Sequence, residues 1–135
     1  MTNVLNEEKL TSFIKQTLGC RCPEEVFTNI HSHPMRTGEL PGAATRIVVG
    51  DTLLIYLVPT ASIRDLVENL AEVADSGRRD RDSNGYNRFR LVVAANSGAS
   101  ERDAATATFA AEAGDDANMH IHFVDPATVL DLFAR

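Results

Sequence analysis

Apolar residues recur along the chain at intervals that change from helical to strand-like. Near the N-terminus they return every three or four positions, which predicts a helix with one buried face. Its apolar positions are Leu10, Phe13, Ile14 and Leu18. Gly19 is typical of the position just beyond a helix. A second, short helix is predicted from Pro23 onward, because proline suits the first helical position and two glutamates follow it.

Five further stretches are rich in apolar and β-branched residues and predict strands. They are residues 30–33, 46–49, 52–58, 89–95 and 119–124. Gly50 and Asp51 separate the second stretch from the third. A glycine at the first turn position favours a tight hairpin there because it tolerates positive φ. The third and fourth stretches are apolar on both faces, as expected of central strands.

Helices are predicted between and after the later strands. Ser62 and Ser100 each have an aspartate three residues further on, which is the spacing of a helix-capping pair. We expect Gly114 to end the helix that starts at Ser100, and Asp125-Pro126 to open a last helix. The helix from Ser62 has an apolar stripe at Ile63, Leu66, Val67, Leu70, Val73 and Ala74, and the last helix has one at Val129, Leu130 and Phe133. Residues 75–87 are polar and are interpreted as a mobile loop that carries the mixed-charge run of residues 78–82.

The order of these elements predicts the architecture. The later strands alternate with helices, so they should be parallel and joined by right-handed crossovers. The earlier hairpin adds antiparallel strands to the same sheet. We therefore expect an α/β fold of three layers, with a single mixed five-stranded sheet and helices on both faces, as one domain over residues 1–135.

Composition places the chain among ordinary globular proteins. Of its 135 residues, 44% are hydrophobic and 24% are charged, so a disordered tail and a disulfide-dense mini-protein are excluded. The net charge of −6 works against a non-specific grip on nucleic acid or on an anionic membrane. The N-terminus lacks the apolar core of a secretory signal, and the apolar run of residues 53–58 is too short to span a bilayer. We expect a cytoplasmic protein that binds neither membrane nor nucleic acid.

The most unusual stretch contains Cys20 and Cys22, separated by Arg21. Two thiols so close together can bind one soft metal ion or share a redox task. Cys22 is expected at a helix N-terminus, where the helix dipole and Arg21 both favour a thiolate. The alternative is that both cysteines are small buried residues at a tight corner between helices.

Four histidines form two H-x-H pairs on predicted strands. Positions i and i+2 of a strand share a face, so each pair could present two imidazoles to a borderline metal such as zinc. The alternative is a solvated strand face. If the strands lie in sequence order, the first and fifth are four spacings apart, about 19 Å, so one metal could not hold both pairs. The pairs are His31/His33 and His120/His122, and the candidate metal site combines Cys20, Cys22, His31 and His33.

A weaker candidate site follows the fourth strand. Ser97, Gly98 and Ser100 lead into a helix, whose first backbone N–H groups could hold an anion. Neither the dinucleotide-binding nor the Walker pattern is present, so an ordinary capped loop is the alternative.

The order α-β-β-β-α-β resembles the core of restriction-endonuclease-like nucleases. Residues 90–98, the helix after them and residues 122–126 with Leu130 are similar to a strand-helix-strand extension of some members. The resemblance implies an acidic residue near Asp51 and an E-x-K pair near residues 56–58. Asp51 falls in the predicted turn and no E-x-K is present, so the carboxylates that hold magnesium are missing. If the fold is related, we expect the nuclease activity to be lost.

Residues 18–27, Leu-Gly-Cys-Arg-Cys-Pro-Glu-Glu-Val-Phe, also resemble a segment of small, uncharacterised prokaryotic proteins, which implies no activity. The leading hypothesis is a thiol-based module at Cys20 and Cys22 that binds a metal or senses redox state. The alternative is a non-catalytic structural or partner-binding domain on a degenerate nuclease-like scaffold, as a homodimer formed through an edge strand.

Overall fold

The structure is a computed structural model that describes residues 7–16, 29–35, 44–60, 63–96 and 98–132. Its elements alternate along the chain much as the sequence predicts. In order they are α1 (Glu7–Gln16), β1 (Ile30–Met35), β2 (Ala44–Val49), β3 (Leu53–Pro59), α2 (Ile63–Val67), α3 (Leu70–Asn84), β4 (Arg88–Ala94), α4 (Ala99–Ala113), β5 (Met119–Val124) and α5 (Pro126–Leu132).

The described strands form one mixed sheet in the order β1-β2-β3-β4-β5. The β1–β2 and β2–β3 pairs are antiparallel, and the β3–β4 and β4–β5 pairs are parallel. The predicted fold class is therefore confirmed. The order of the strands in the sheet equals their order in the sequence. The β2–β3 connection is a tight hairpin, and each of the two later connections adds a parallel strand at the same edge of the sheet.

Helices cover both faces of this sheet. One face packs against α2, α3 and α4 through a core centred on Phe89, which is 0% exposed. The other face packs against α1 and α5, whose buried residues include Leu10, Ile14 and Val129. We name these the α3/α4 face and the α1/α5 face. The predicted apolar stripes of the first, third and last helices thus reach the core wherever the structure describes them.

The β2–β3 turn has the predicted tight form. Gly50 and Asp51 both adopt positive φ, 60° and 54°, and the amide of Thr52 donates to the carbonyl of Val49 at 3.2 Å. Positive φ at both turn positions is typical of a type I′ turn, and because Val49 pairs with Leu53, Thr52 lengthens the connection by one residue. Asp51 is stabilised in this uncommon conformation by a 3.2 Å hydrogen bond that its carboxylate accepts from Asn29 Nδ2.

Two sequence predictions about helices α3 and α4 are corrected by the structure. The polar stretch expected to be a loop is helical, since α3 continues to Asn84 and ends at Gly85 with a left-handed φ of 74°. The expected cap at Ser100 is also wrong. The N-cap of α4 is Gly98, two residues earlier, and no side-chain hydrogen bond caps the helix there.

Two smaller differences concern element ends. The helix predicted from Ser62 is divided at residues 68–69, where the amide of Asn69 bonds to the carbonyl of Leu66, and Ser62 itself lies outside the described residues. Strand β1 continues through Pro34, which an edge strand tolerates on its unpaired side.

In the described part of the chain, no helix combines the length and the hydropathy required to cross a membrane.

Candidate functional site

A polar cluster lies between the sheet and α3. Asp80 of α3 accepts hydrogen bonds from Arg46 Nε at 2.7 Å and from a terminal nitrogen of Arg46 at 2.8 Å. The hydroxyl of Tyr56 donates to the same carboxylate at 2.7 Å, and Asn84 Nδ2 donates at 2.9 Å. The guanidinium of Arg46 also lies 5.9 Å from the ring centre of Tyr86. We call these residues the Asp80 cluster.

The charges of the Asp80 cluster suit a structural role. Burial acts to raise the pKa of Asp80, but hydrogen bonds from Arg46 and Tyr56 outweigh it and hold that pKa below its usual range. Burial, together with the Asp80 carboxylate, raises the pKa of Tyr56 above its usual range. At neutral pH the cluster is therefore a carboxylate, a guanidinium and a neutral phenol, and neither of the titratable oxygens is ready to exchange a proton.

A second ion pair fixes the other side of α3. Arg81 is 8% exposed and forms a bidentate contact with Asp116, with N···O distances of 3.0 and 2.6 Å. Arg78 donates to the carbonyl of Glu112 at the end of α4. These contacts join α3 to α4 and to the turn before β5, and they place Arg78 and Arg81 of the mixed-charge run in ordered contacts.

The two histidine pairs lie on opposite faces of the sheet as well as at its opposite edges. In the β1–β2 register, His33 lies opposite Arg46, so His31 and His33 belong to the α3/α4 face. In the β4–β5 register, His122 lies opposite Val92, which belongs to the α1/α5 core. The two pairs are thus at opposite edges and on opposite faces, and a common metal site is excluded.

The proposed metal ligands are only partly described. His31 and His33 are both exposed on β1, as a pair of imidazoles on one face would require. Cys20 and Cys22 lie outside the described residues, as does Ser97 of the candidate anion site. Within the described ranges, no three histidine, cysteine or acidic side chains come together as metal ligands. The mixed cysteine–histidine site stays a prediction.

The anion site predicted after the fourth strand also stays a prediction. Gly98 and Ser100 are exposed at the start of α4. Ser100 lines a hollow of about 360 Å³ between α2 and α4, together with Arg64, Glu68 and Glu101. Two carboxylates against one arginine in this hollow weigh against an anionic ligand.

The outer side of β5 presents free backbone groups. The amide of Phe89 donates to the carbonyl of Asn118 and that of Ala95 to the carbonyl of Val124, so the even-numbered residues of β5 bond to β4. The N–H and C=O groups of Ile121 and Phe123 therefore point away from the sheet. Strand β5 ends the sheet in the described part of the chain, which leaves this side of the strand open.

An arginine and a histidine meet beside this open edge. A terminal nitrogen of Arg90 lies 3.1 Å from Nε2 of His122. Burial, the charge of Arg90 and the neighbouring His120 lower the pKa of His122 to about 4, so the ring is neutral at pH 7. A neutral ring whose Nε2 accepts the hydrogen bond from Arg90 carries its proton on Nδ1 and can donate there.

Protonation of His122 should make stability depend on pH. With a pKa of about 4 in the folded chain and 6.5 as its ordinary value, the histidine binds its proton first in the unfolded state. Stability therefore falls as the pH drops from about 6.5 to about 4, by about 1 to 2 kcal/mol because the ring is partly exposed. Urea unfolding at pH 7 and pH 4.5 should show a smaller loss for His122→Gln than for the wild type. Equal losses in the two proteins would contradict this expectation.

Sequence reasoning missed the residues that organise these contacts. The signal for Arg90 was present, because it is a single charge within an otherwise apolar stretch of residues 89–95. The same holds for Arg46, which precedes the apolar residues 47–49. Asp80 carried no such signal, since it lies among alternating charges.

Comparison with known proteins gives no relative from which to transfer an activity. No protein-family model matches the chain, and neither a curated protein nor a solved structure shows significant similarity to it. What the chain does is therefore to be inferred from its own residues and their geometry.

Proposed function

We propose that this chain is a non-catalytic binding domain that pairs the open edge of β5 with a strand of a partner polypeptide. The observation that carries the proposal is the composition of that edge. Strand β5 has six residues, Met-His-Ile-His-Phe-Val, without a proline, a lysine or an acidic residue, and its register with β4 is continuous. Edge strands that stay unpaired are usually protected by such residues or by a bulge.

The opposite edge of the sheet differs in this respect. Strand β1 carries Pro34, and its exposed residues 31–33 are all polar. On β5, by contrast, Ile121, Phe123 and Val124 are only partly buried. Partly exposed apolar side chains next to unpaired backbone groups favour the addition of a strand, because both the ladder and the apolar surface are then completed.

The charged groups of the interior support a non-catalytic role. In the described part of the chain, two ion pairs connect elements of the fold: Arg46 binds Asp80, and Arg81 binds Asp116. The position at which a nuclease of similar topology would carry its catalytic pair is occupied by Tyr56 and two apolar residues. A degenerate nuclease-like scaffold that retains a binding surface agrees with these features.

The backbone pattern of β5 offers a direct test. Ile121→Pro removes an outward-facing N–H and leaves the bonds between β5 and β4 in place, since those involve the even-numbered residues. Peptides enriched from a display library on the immobilised wild type should bind Ile121→Pro about tenfold more weakly or worse, as fluorescence anisotropy would show. Sedimentation of the wild type shows in parallel whether a second copy is the partner.

Ile121→Ala is the matched control for this variant. It removes the apolar side chain but keeps the backbone donor, so it should weaken binding less than the proline does. The proposal is wrong if the wild type stays monomeric and enriches no peptide that distinguishes it from Ile121→Pro while both proteins fold.

A thiol-based metal site is the second candidate function. It is favoured by the placement of His31 and His33, which are exposed and share a face of β1. Together with Cys20 and Cys22 they would supply two thiolates and two imidazoles, a donor set that suits zinc.

Metal analysis of protein purified under reducing conditions tests this site. We expect close to one equivalent of zinc in the wild type and its loss in a Cys20→Ser/Cys22→Ser variant. A His120→Gln variant is the control, because His120 lies at the far edge of the sheet and should keep the metal. Metal-free protein whose thiols do not react in the folded state would reject the site.

A further inference from the structure

Arg90 differs from the other buried or half-buried arginines that the structure describes. Arg46, Arg78 and Arg81 are buried or half-buried, and each contacts a carboxylate. Arg90 is half-buried too, but among the described residues it has no carboxylate partner, and its polar contact is the neutral ring of His122. The chain has an excess of acidic residues, with a net charge of −6, and still no described carboxylate pairs with Arg90. A partly desolvated cation without a counter-charge lowers the stability of the fold.

The position of Arg90 directs its charge to the open edge. Its guanidinium reaches the ring of His122 on the neighbouring strand, so its charge lies on the side of β4 that faces the open edge. His120 lies opposite Arg90 in the register and shares its face. Arg88, two residues earlier on β4, is on this face as well and is exposed, with no described ion pair. The α1/α5 face is thus basic where it meets β5.

The other face of β5 has the opposite character. Ile121 and Phe123 are partly buried and pack against the apolar core under α4. A strand that pairs with β5 places alternate side chains on these two faces. Each second residue of the partner therefore lies beside His120, His122 and Arg90, and the residues between them lie beside apolar side chains.

We infer that the partner strand alternates acidic and apolar residues, with its carboxylates on the face of Arg90 and His122. This inference rests on the proposed function of the β5 edge. The Nδ1–H of His122 and the free N–H groups of Arg90 are the donors available to such carboxylates. A second copy of β5 fits less well, because its own histidines, not carboxylates, would lie on this face.

The peptides enriched on the wild type test the inference through their sequences. We expect aspartate or glutamate at alternate positions with apolar residues between them, and binding that weakens as salt is raised. Arg90→Gln should weaken an enriched peptide about tenfold, the value of one charge-assisted hydrogen bond. Arg102→Gln removes the same charge from the exposed face of α4 and should leave binding unchanged. His122→Gln provides a second substitution at the site if Arg90→Gln does not fold.

The outcomes separate the inference from the proposed function. Peptides that depend on Ile121 but show no acidic alternation would overturn the inference and leave the strand-pairing function standing. Acidic peptides that bind Ile121→Pro and the wild type equally would overturn both, because charge alone would then explain binding. Equal competition by a single-stranded oligonucleotide would likewise overturn the inference in favour of a general attraction for anions.

Discussion

Asp80→Ala is expected to destabilise the protein by about 2 to 4 kcal/mol. The substitution leaves the guanidinium of Arg46 and the hydroxyl of Tyr56 in a largely enclosed position without the carboxylate that both contact. The Asp80 and Arg46 side chains are 17% and 24% exposed, so water can replace only part of the lost interaction. Removing one partner of a buried pair costs more than the pair contributes, because the remaining charge is still desolvated. Chemical denaturation at pH 7 measures the difference.

Two companion variants identify the cause of that loss. Asp103→Ala removes the same group from an exposed position of α4 and should change stability by less than about 0.5 kcal/mol. In the double variant Asp80→Ala/Arg46→Met no buried cation remains, so the loss should be smaller than the sum of the two single losses. Additive losses would show that the Asp80 cluster does not act as a unit.

Gly77→Val is expected to lower the free energy of unfolding by about 3 kcal/mol or more. A Cβ at residue 77 would overlap the ring of Phe89, which lies directly beneath α3. That ring cannot move easily, because it packs edge-on against Tyr56 at 4.9 Å and lies 6.5 Å from the ring of Phe109. The helix cannot move away either, since Asp80 and Arg81 tie it to the sheet and to the turn before β5. Overpacking a fixed contact is destabilising even though valine favours a helix more than glycine does.

A double-variant cycle tests this explanation. Phe89→Leu replaces the ring that residue 77 meets with a smaller side chain, so Gly77→Val should cost less in that background than in the wild type. Ser83→Val places the same side chain at an exposed position of α3 and should have little effect. If Gly77→Val costs the same in both backgrounds, the contact with Phe89 is not its cause. Thermal unfolding followed by circular dichroism is sufficient for these comparisons.

The sheet could be predicted from sequence because its signals are local. The apolar residues 53–58 and 91–94 are long enough to specify buried strands, and Gly50-Asp51 specifies the turn. Met119–Val124 is confirmed at both ends. Strand order then followed from the short hairpin and the parallel crossovers.

The C-terminal half of α3 was not predictable in the same way. Residues 78–82 are a mixture of arginine and aspartate, and nothing in their order shows that Asp80 meets β2 and β3 while Arg81 meets the α4–β5 turn. The helix there is stabilised by partners more than 30 positions away in the chain. Its polar surface therefore resembles a loop until those partners are known.

The candidate sites show the same division between local and distant information. The same-face placement of His31 and His33 follows from strand periodicity and could be stated from sequence. That they face away from His120 and His122 depends on the register of four strand pairs. The contact between Arg90 and His122 spans 32 positions and needs both the parallel pairing and its register.

The succession of strands also bears on how the chain folds during synthesis. Each strand emerges from the ribosome after the strand it pairs with, so the sheet can grow by one strand at a time from its N-terminal side. A nascent chain that has not yet reached residue 119 exposes the edge of β4, in which five of seven residues are apolar, as its growing edge. The arrival of β5 pairs the backbone groups of that edge and places the six residues of β5, of which His120 and His122 are polar, at the end of the described sheet.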